Sequence, residues 1–259
     1  MESLPGPGSV TWRVNREAAL LLGGGRALLM QVAHPKVAAG VAEHSDFRRD
    51  PMARLNRTME LSLALTFGGP GEIRGAARQI NRAHERVVGE GYRALDPDLL
   101  LWVHATLIDS AIVTYRTFVR PLDQGNAATY YEEAKAIGGM LGIPRPHYPG
   151  TLAEFESYRD AMLAGDVRPD AAGRRLGALV LRPPVRGLPP FFFGPFAAIT
   201  AGLLPASLRA AYGLPWGPLA RGAFSLAARG MPSILGSLPD RLRVVPPARL
   251  AERLTATQY

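Results

Sequence analysis

Apolar positions recur every three or four residues along most of this chain, the spacing of helices that bury one face. The first helix is predicted over 17–32, opened near Asn15 and interrupted by Gly23-Gly24-Gly25. Pro35 starts a further helical segment over 36–43, followed by a loop around 45–50. Pro51 suits the first position of the next helix, with Asp50 as its N-cap. That helix runs through Thr58 to about Thr66 and stops before Gly68-Gly69-Pro70-Gly71. A helix over 72–89 comes next, then a long one capped by Asp96, beginning at Pro97 and ending before Pro121. Amphipathic helices over 128–141 and 152–164 flank a proline-rich loop at 142–150. From Arg168 onward, prolines at 183, 184, 189, 190, 195, 205, 215 and 218 cut the chain into short helical pieces.

No run of alternating polar and apolar residues lasts long enough for a convincing sheet, so the fold class is all-α. The expected layout is a tail over 1–12 and one helical domain over 13–259. Within that domain, a core over 13–165 carries a C-terminal helical subregion over 166–259. The glycine triplet lacks the spacing of a dinucleotide-binding loop. It reads as a place where another helix packs close to the backbone, with a flat cofactor as the alternative.

Composition changes this picture little. Hydrophobic residues make up 47% of 259 and charged residues 20%, as in an ordinary folded protein. The formal charge is +8, carried almost wholly by arginine, since Lys36 and Lys135 are the only lysines. There is no clustered basic helix, aromatic-interleaved strand or zinc-finger spacing, so no nucleic-acid partner is expected. A compositional bias toward arginine and alanine explains the charge. The absence of cysteine excludes disulfides, zinc–thiolate sites, a catalytic thiol and thiolate-ligated heme. Residues 1–11 are polar and proline-bearing, which predicts no secretion signal and a cytoplasmic protein.

Two apolar stretches bear on membranes. Residues 99–119 have the length of a span but include His104, Asp109 and Arg116, so a buried core helix is predicted. The segment 189–205 is short and contains Pro195. Its run from Pro189 to Phe196 reads as core filler, with a channel lip, a membrane-touching loop or a homodimer contact as alternatives.

Histidines supply the first candidate chemistry. His84 falls on the stripe Ile73, Ala77, Ile80, Val87 and Gly91, which turns its imidazole toward a core. Each ring nitrogen there needs a hydrogen-bond partner or a metal, and spacing alone favours the partner. His104 shares a face with Leu101, Ile108, Ala111 and Tyr115, and His34 stands at a helix junction before Pro35. His44 and His147 read as loop or helix-end residues. A di-iron bundle would need Glu-x-x-His pairs, and a serine hydrolase a G-x-S-x-G elbow; neither occurs. Arg54, Arg57 and Thr58 share one helix face. They could clamp a carboxylate or order a small polar ligand, although a solvated basic face explains the same spacing.

Several segments together resemble a known family. They are Gly24-Gly25-Arg26 with Gln31 to Pro35, His44-Ser45-Asp46-Phe47, and Arg54-x-x-Arg57-Thr58. His84-x-x-Val87-x-Gly89, Asp96-Pro97 through Trp102-Val103-His104, and Leu141-Gly142-Ile143-Pro144 continue the series. This pattern is similar to the bacterial branch of the family that contains the rubber oxygenase (latex clearing protein) catalytic domain and the fungal oxygenase MpaB. The likeness is good over 12–164 and loose beyond.

The resemblance implies an all-helical fold around noncovalent heme b, with dioxygen chemistry on a hydrophobic small molecule. It makes His84 the iron's proximal ligand, with His104 as fallback, and Arg54 and Thr58 the distal pair. Arg57 stands where rubber-cleaving members carry a lysine able to coordinate iron. A guanidinium stays protonated and has no such lone pair, so the distal position is either open to dioxygen or water or filled by another residue, with His34 a candidate, and Arg57 is assigned to a heme propionate. The rubber enzyme's catalytic glutamate has no match, so polymer cleavage does not carry over. A noncatalytic heme- or lipid-binding protein and a non-heme iron oxidoreductase are the alternatives.

Overall fold

A computed structural model describes residues 4–44, 51–185, 187 and 189–256, excepting the side chains of 51–55, 190 and 256. Its elements form where local signals place them. α1 (Val10–Asn15) starts at Ser9, whose side chain accepts from Trp12 N. A 3-10 turn (Ala18–Gly23) leads into α2 (Gly24–Val32), so the single helix expected over 17–32 is two pieces that change pitch at the glycine triplet. α3 (Pro35–His44) and α4 (Pro51–Phe67) follow; the expected N-cap Asp50 lies outside the described residues.

α5 (Pro70–Glu85) begins two residues before the expected start, because Glu72 reaches back to accept from Gly69 N at 2.8 Å. It also ends earlier than 89. The chain past Glu85 turns into an antiparallel ribbon, β1 (Val88–Gly89) on β2 (Tyr92–Arg93), around Gly91 at φ +73°. Only glycine takes that conformation without strain. Val87 and Gly91 therefore do not continue the helical stripe on which His84 was placed, and a small sheet exists where none was predicted.

α6 (Pro97–Phe118) matches its prediction, with Asp96 accepting from Asp98 N. α7 (Gln124–Met140) starts before 128, at an Asp123 cap, and α8 (Leu152–Ala164) opens with a Thr151–Glu154 capping box. The C-terminal part holds α9 (Ala171–Leu181), α10 (Gly194–Leu203), α11 (Ala206–Ala211), α12 (Pro218–Ser237), α13 (Asp240–Arg243) and α14 (Pro246–Ala256). A 3-10 turn (Pro190–Phe193) precedes α10.

α6 is the axis of the fold. It is the one described helix long and apolar enough to cross a membrane, and 72% of its apolar window is buried inside the protein. The core-helix reading stands. α2 runs antiparallel along it, through Trp102 Nε1 donating to Met30 O (3.3 Å), Gln31 Nε2 to Thr106 Oγ1 (3.1 Å), and Arg26 to Asp109 and Ser110. The glycine triplet sits in this contact. A Cβ on Gly23 would collide with the Thr114 hydroxyl of α6, and one on Gly25 with Thr200 and Phe196 of α10. Helices, rather than a flat cofactor, fill the space beside those two glycines.

The C-terminal subregion packs onto this core. α9 lies against α2 and α3, and α12 lies against α6 and α10. Val245 N donates to Arg16 O (2.9 Å), and Trp12 Nε1 to Glu252 Oε1 (2.8 Å), which ties α14 to the chain's first helix. One expectation fails here. Phe191 and Phe192 are 76% and 62% exposed, so the leading end of the 189–205 run is not core filler. Among the described residues of that run, only the distal part, at Thr200, Ala201, Leu203 and Leu204, is buried, because α10 meets α2 along that end.

Candidate functional site

α4 and α5 form an antiparallel hairpin closed by Gly68-Gly69, where Gly68 N donates to Ala64 O. Leu65 packs with Ile73, Ala76 and Ala77, and this cluster rests on Ile137, Met140 and Leu141 at the end of α7. Counted outward from the turn, Arg54 and His84 each lie about four helical turns away, so the hairpin sets them at one height. His84 is half-buried in the last turn of α5. One turn earlier, Asn81 Nδ2 donates to Met140 O (3.1 Å) and anchors that end of the helix. Arg57 and Thr58 are exposed, and the Arg54 side chain lies outside the described residues.

The ribbon after His84 is fastened to α3. The Tyr92 hydroxyl donates to Glu43 Oε2 (2.7 Å), and His44 Nε2 meets Val88 O at 3.1 Å. Burial, then the neighbouring carboxylate, push the Tyr92 phenol up to about 12. It stays protonated and keeps donating at ordinary pH.

His104 stands on α6, buried, with Nδ1 2.7 Å from the Tyr148 hydroxyl. Gly138 of α7 makes this contact possible: a Cβ there would overlap the Tyr148 oxygen and press on His104 Nδ1. Desolvation lowers the imidazole to about 4, and burial raises the Tyr148 phenol. Both groups are therefore neutral near pH 7. If Nδ1–H is the donor, Nε2 keeps its lone pair, the arrangement that orients a metal-binding imidazole. If the phenol donates, Nε2 carries the proton and cannot ligate.

His34 is buried at the α2–α3 junction, and its Nδ1 has no hydrogen-bond partner among the described residues. Burial holds it below the usual histidine range, with Asp166 pulling the other way. His147, 3.0 Å from Asp98, and His44 occupy surface positions, as their sequence context suggested. Among the described residues no group of three or more histidine or carboxylate side chains could hold a metal ion.

The largest polar feature had no assigned role in the sequence. Arg26 and Asp109, each 3% exposed, pair at 2.5 Å. Arg26 also donates to Ser110 Oγ (2.8 Å) and to Leu203 O (2.9 Å), while Arg159 of α8 donates to the other Asp109 oxygen (2.8 Å). One carboxylate thus joins α2, α6 and α8, and Arg26 extends the link to α10. An acid in the middle of this long, apolar, buried helix was the available signal, since a charge there demands a cation. Nothing local said that Arg26, beside the glycines, would supply it.

Lys135 is likewise buried. It donates to Glu132 (2.6 Å), Pro149 O (3.0 Å) and Gly150 O (3.1 Å), fixing the loop that carries Tyr148. Glu17 is 1% exposed, with burial raising its carboxyl and Arg243 3.6 Å away opposing that shift.

Comparison with known proteins places the chain in a family. Residues 12–232 match the family described as ER-bound oxygenase mpaB/B'/Rubber oxygenase, catalytic domain. The matched span includes the α4–α5 hairpin, α6 and every candidate residue. Two mycobacterial proteins are each 29% identical over 207 residues, covering 73% of this chain and 78% of their own length. They are uncharacterized protein Rv2237 of Mycobacterium tuberculosis and uncharacterized protein Mb2261 of Mycobacterium bovis. No solved structure matches. By the match across 12–232, the chain belongs to the mpaB/B' and rubber oxygenase catalytic-domain family.

Proposed function

We propose that the protein is a heme b-dependent oxygenase that acts with dioxygen on a hydrophobic small molecule. The family match over 12–232 carries this reading. The donor chemistry fits it: a bare metal ion wants several converging ligands, whereas heme can take a single imidazole. The described residues place imidazoles on separate elements and offer no three-ligand cluster. Among the described residues His34 Nδ1 has no hydrogen-bond partner, and burial keeps that ring neutral.

In this reading His84 holds the iron from the end of α5, where Asn81 and the Tyr92–Glu43 clamp steady the backbone on either side. Bound heme supplies an iron centre able to take dioxygen. Arg54 and Thr58, one turn apart on α4, present a guanidinium and a hydroxyl to a small polar ligand. Arg57 pairs with a propionate carboxylate. His104, with its Tyr148 partner, is the second imidazole suited to ligation.

Absorption spectroscopy of protein expressed with hemin tests the assignment. A Soret band should appear in the wild type, vanish in His84→Ala and persist in His104→Ala. The reverse pattern moves the ligand to His104, and a wild type with no Soret band removes the heme reading altogether. Oxygen consumption by the reduced protein then separates an oxygenase from a passive heme carrier.

A further inference from the structure

The charge of this protein is unevenly placed. Between Ala171 and Pro239 there are seven arginines and no aspartate or glutamate. Of the chain's 30 basic and 22 acidic residues, the remainder holds 23 and 22, so nearly all of the +8 lies in that segment. The same segment exposes large apolar side chains: Leu219 at 91%, Leu226 at 69% and Ile234 at 59%, besides Phe191 and Phe192.

α12 is unusual in being apolar on both sides. Its Phe224 packs on Phe118 of α6 (centroids 6.0 Å apart) and against Gly202 of α10, and Leu235 joins the main core cluster. At 100° per residue, Leu219, Ala223, Leu226 and Ile234 fall on one stripe facing away from Phe224 and Leu235. No residue of this helix is fully buried. A second apolar stripe turned away from the core marks a surface that meets a partner or lipid; α12 lies at the surface of the described fold. Arg229 is exposed and flanks that stripe, whereas Arg221, also exposed, lies on the other side of the helix by the same count.

We propose that the outward apolar stripe of α12, together with the exposed Phe191-Phe192 turn before α10, docks on an anionic lipid bilayer. Apolar side chains that enter the acyl boundary and cations that meet headgroups are the two terms of interfacial binding, and this segment supplies both with no acid to oppose them. A second copy of the chain fits worse. A two-fold contact would set this arginine-bearing surface against itself, and no carboxylate in the segment could pair across the interface. Arg209 is not part of the surface set: it donates to Ala201 O and Leu204 O and stacks on Trp216. The proposal is independent of the heme assignment.

Co-sedimentation of the full chain with vesicles tests it, comparing phosphatidylcholine alone with phosphatidylcholine plus phosphatidylglycerol. The protein should pellet with the anionic vesicles, and less so when salt is raised to about 0.5 M. F191S/F192S, and separately L219S/L226S, should weaken partitioning by about tenfold or more, with helical circular dichroism and Tm unchanged because those side chains are already exposed. R229Q should reduce the preference for anionic vesicles. Failure to pellet, equal binding to both vesicle types, or unaltered binding by both apolar double variants overturns the proposal. So does a dimer in sedimentation velocity that the same substitutions dissociate, since a second copy would then be the occupant.

Discussion

α6 and α12 are both about twenty residues long and rich in apolar side chains, yet 14 of the 22 residues of α6 are buried and none of the 20 in α12 is. The difference lies in polar groups. α6 carries Asp109, Ser110, Thr106 and His104, each matched by a partner on another element: Arg26, Gln31, Arg159 and Tyr148. An acid or imidazole at a core position costs free energy until those partners arrive, so only one seating of α6 satisfies them all. α12 has no acid or imidazole to be satisfied, and its apolar surface is divided between the core and the outside. Hydrophobicity makes both helices adhere, while the polar matches give α6 a specified place.

Breaking the central pair should have the largest effect. Asp109→Ala leaves the Arg26 guanidinium buried without its anion and should cost about 3–5 kcal/mol, read as a fall in the urea midpoint. The pH dependence should follow. His104 titrates at about 4 in the fold against 6.5 unfolded, so the unfolded chain binds the extra proton between those values. Its stabilising contribution is therefore complete above pH 6.5 and is lost as pH falls toward 4, a swing of about 3 kcal/mol. Urea midpoints from pH 7 to 4 should show that slope in the wild type and a shallower one in His104→Asn.

Gly138→Ala should cost about 1–3 kcal/mol by forcing Tyr148 off His104, seen as a lower Tm. Leu226→Ser on α12 is the counter-test: removing a large apolar side chain there should change stability by no more than about 0.5 kcal/mol. A large loss at Leu226 would erase the distinction between the two helices.

Much of the fold was legible. Asp96 and the Gly68-Gly69 break mark helix ends because caps and turns are settled within four residues of sequence, and the structure places them so. The stripe through His84 was legible only as far as Glu85. Val87 continued the spacing by coincidence, while the backbone had already turned toward the ribbon held by Tyr92 and Glu43. That clamp joins residues 49 apart in sequence, beyond the reach of any periodic pattern. The resemblance named His84 and Arg54 as candidates, but that the two helices bring them to one height required the hairpin to close. Periodicity likewise placed His104 on an inward face and could not name Tyr148, which arrives on a loop fixed by Lys135.

By itself, then, the sequence determined the helical class, most helix ends, the lack of thiol chemistry and the segments that carry the family likeness. Each depends on residues near one another in the chain or on composition alone. Tertiary structure decided which cation neutralises Asp109, what fills the space against Gly23 and Gly25, and that Phe191 and Phe192 face outward. Burial and charge pairing are set by which distant segments meet, and that information is spread over the whole chain.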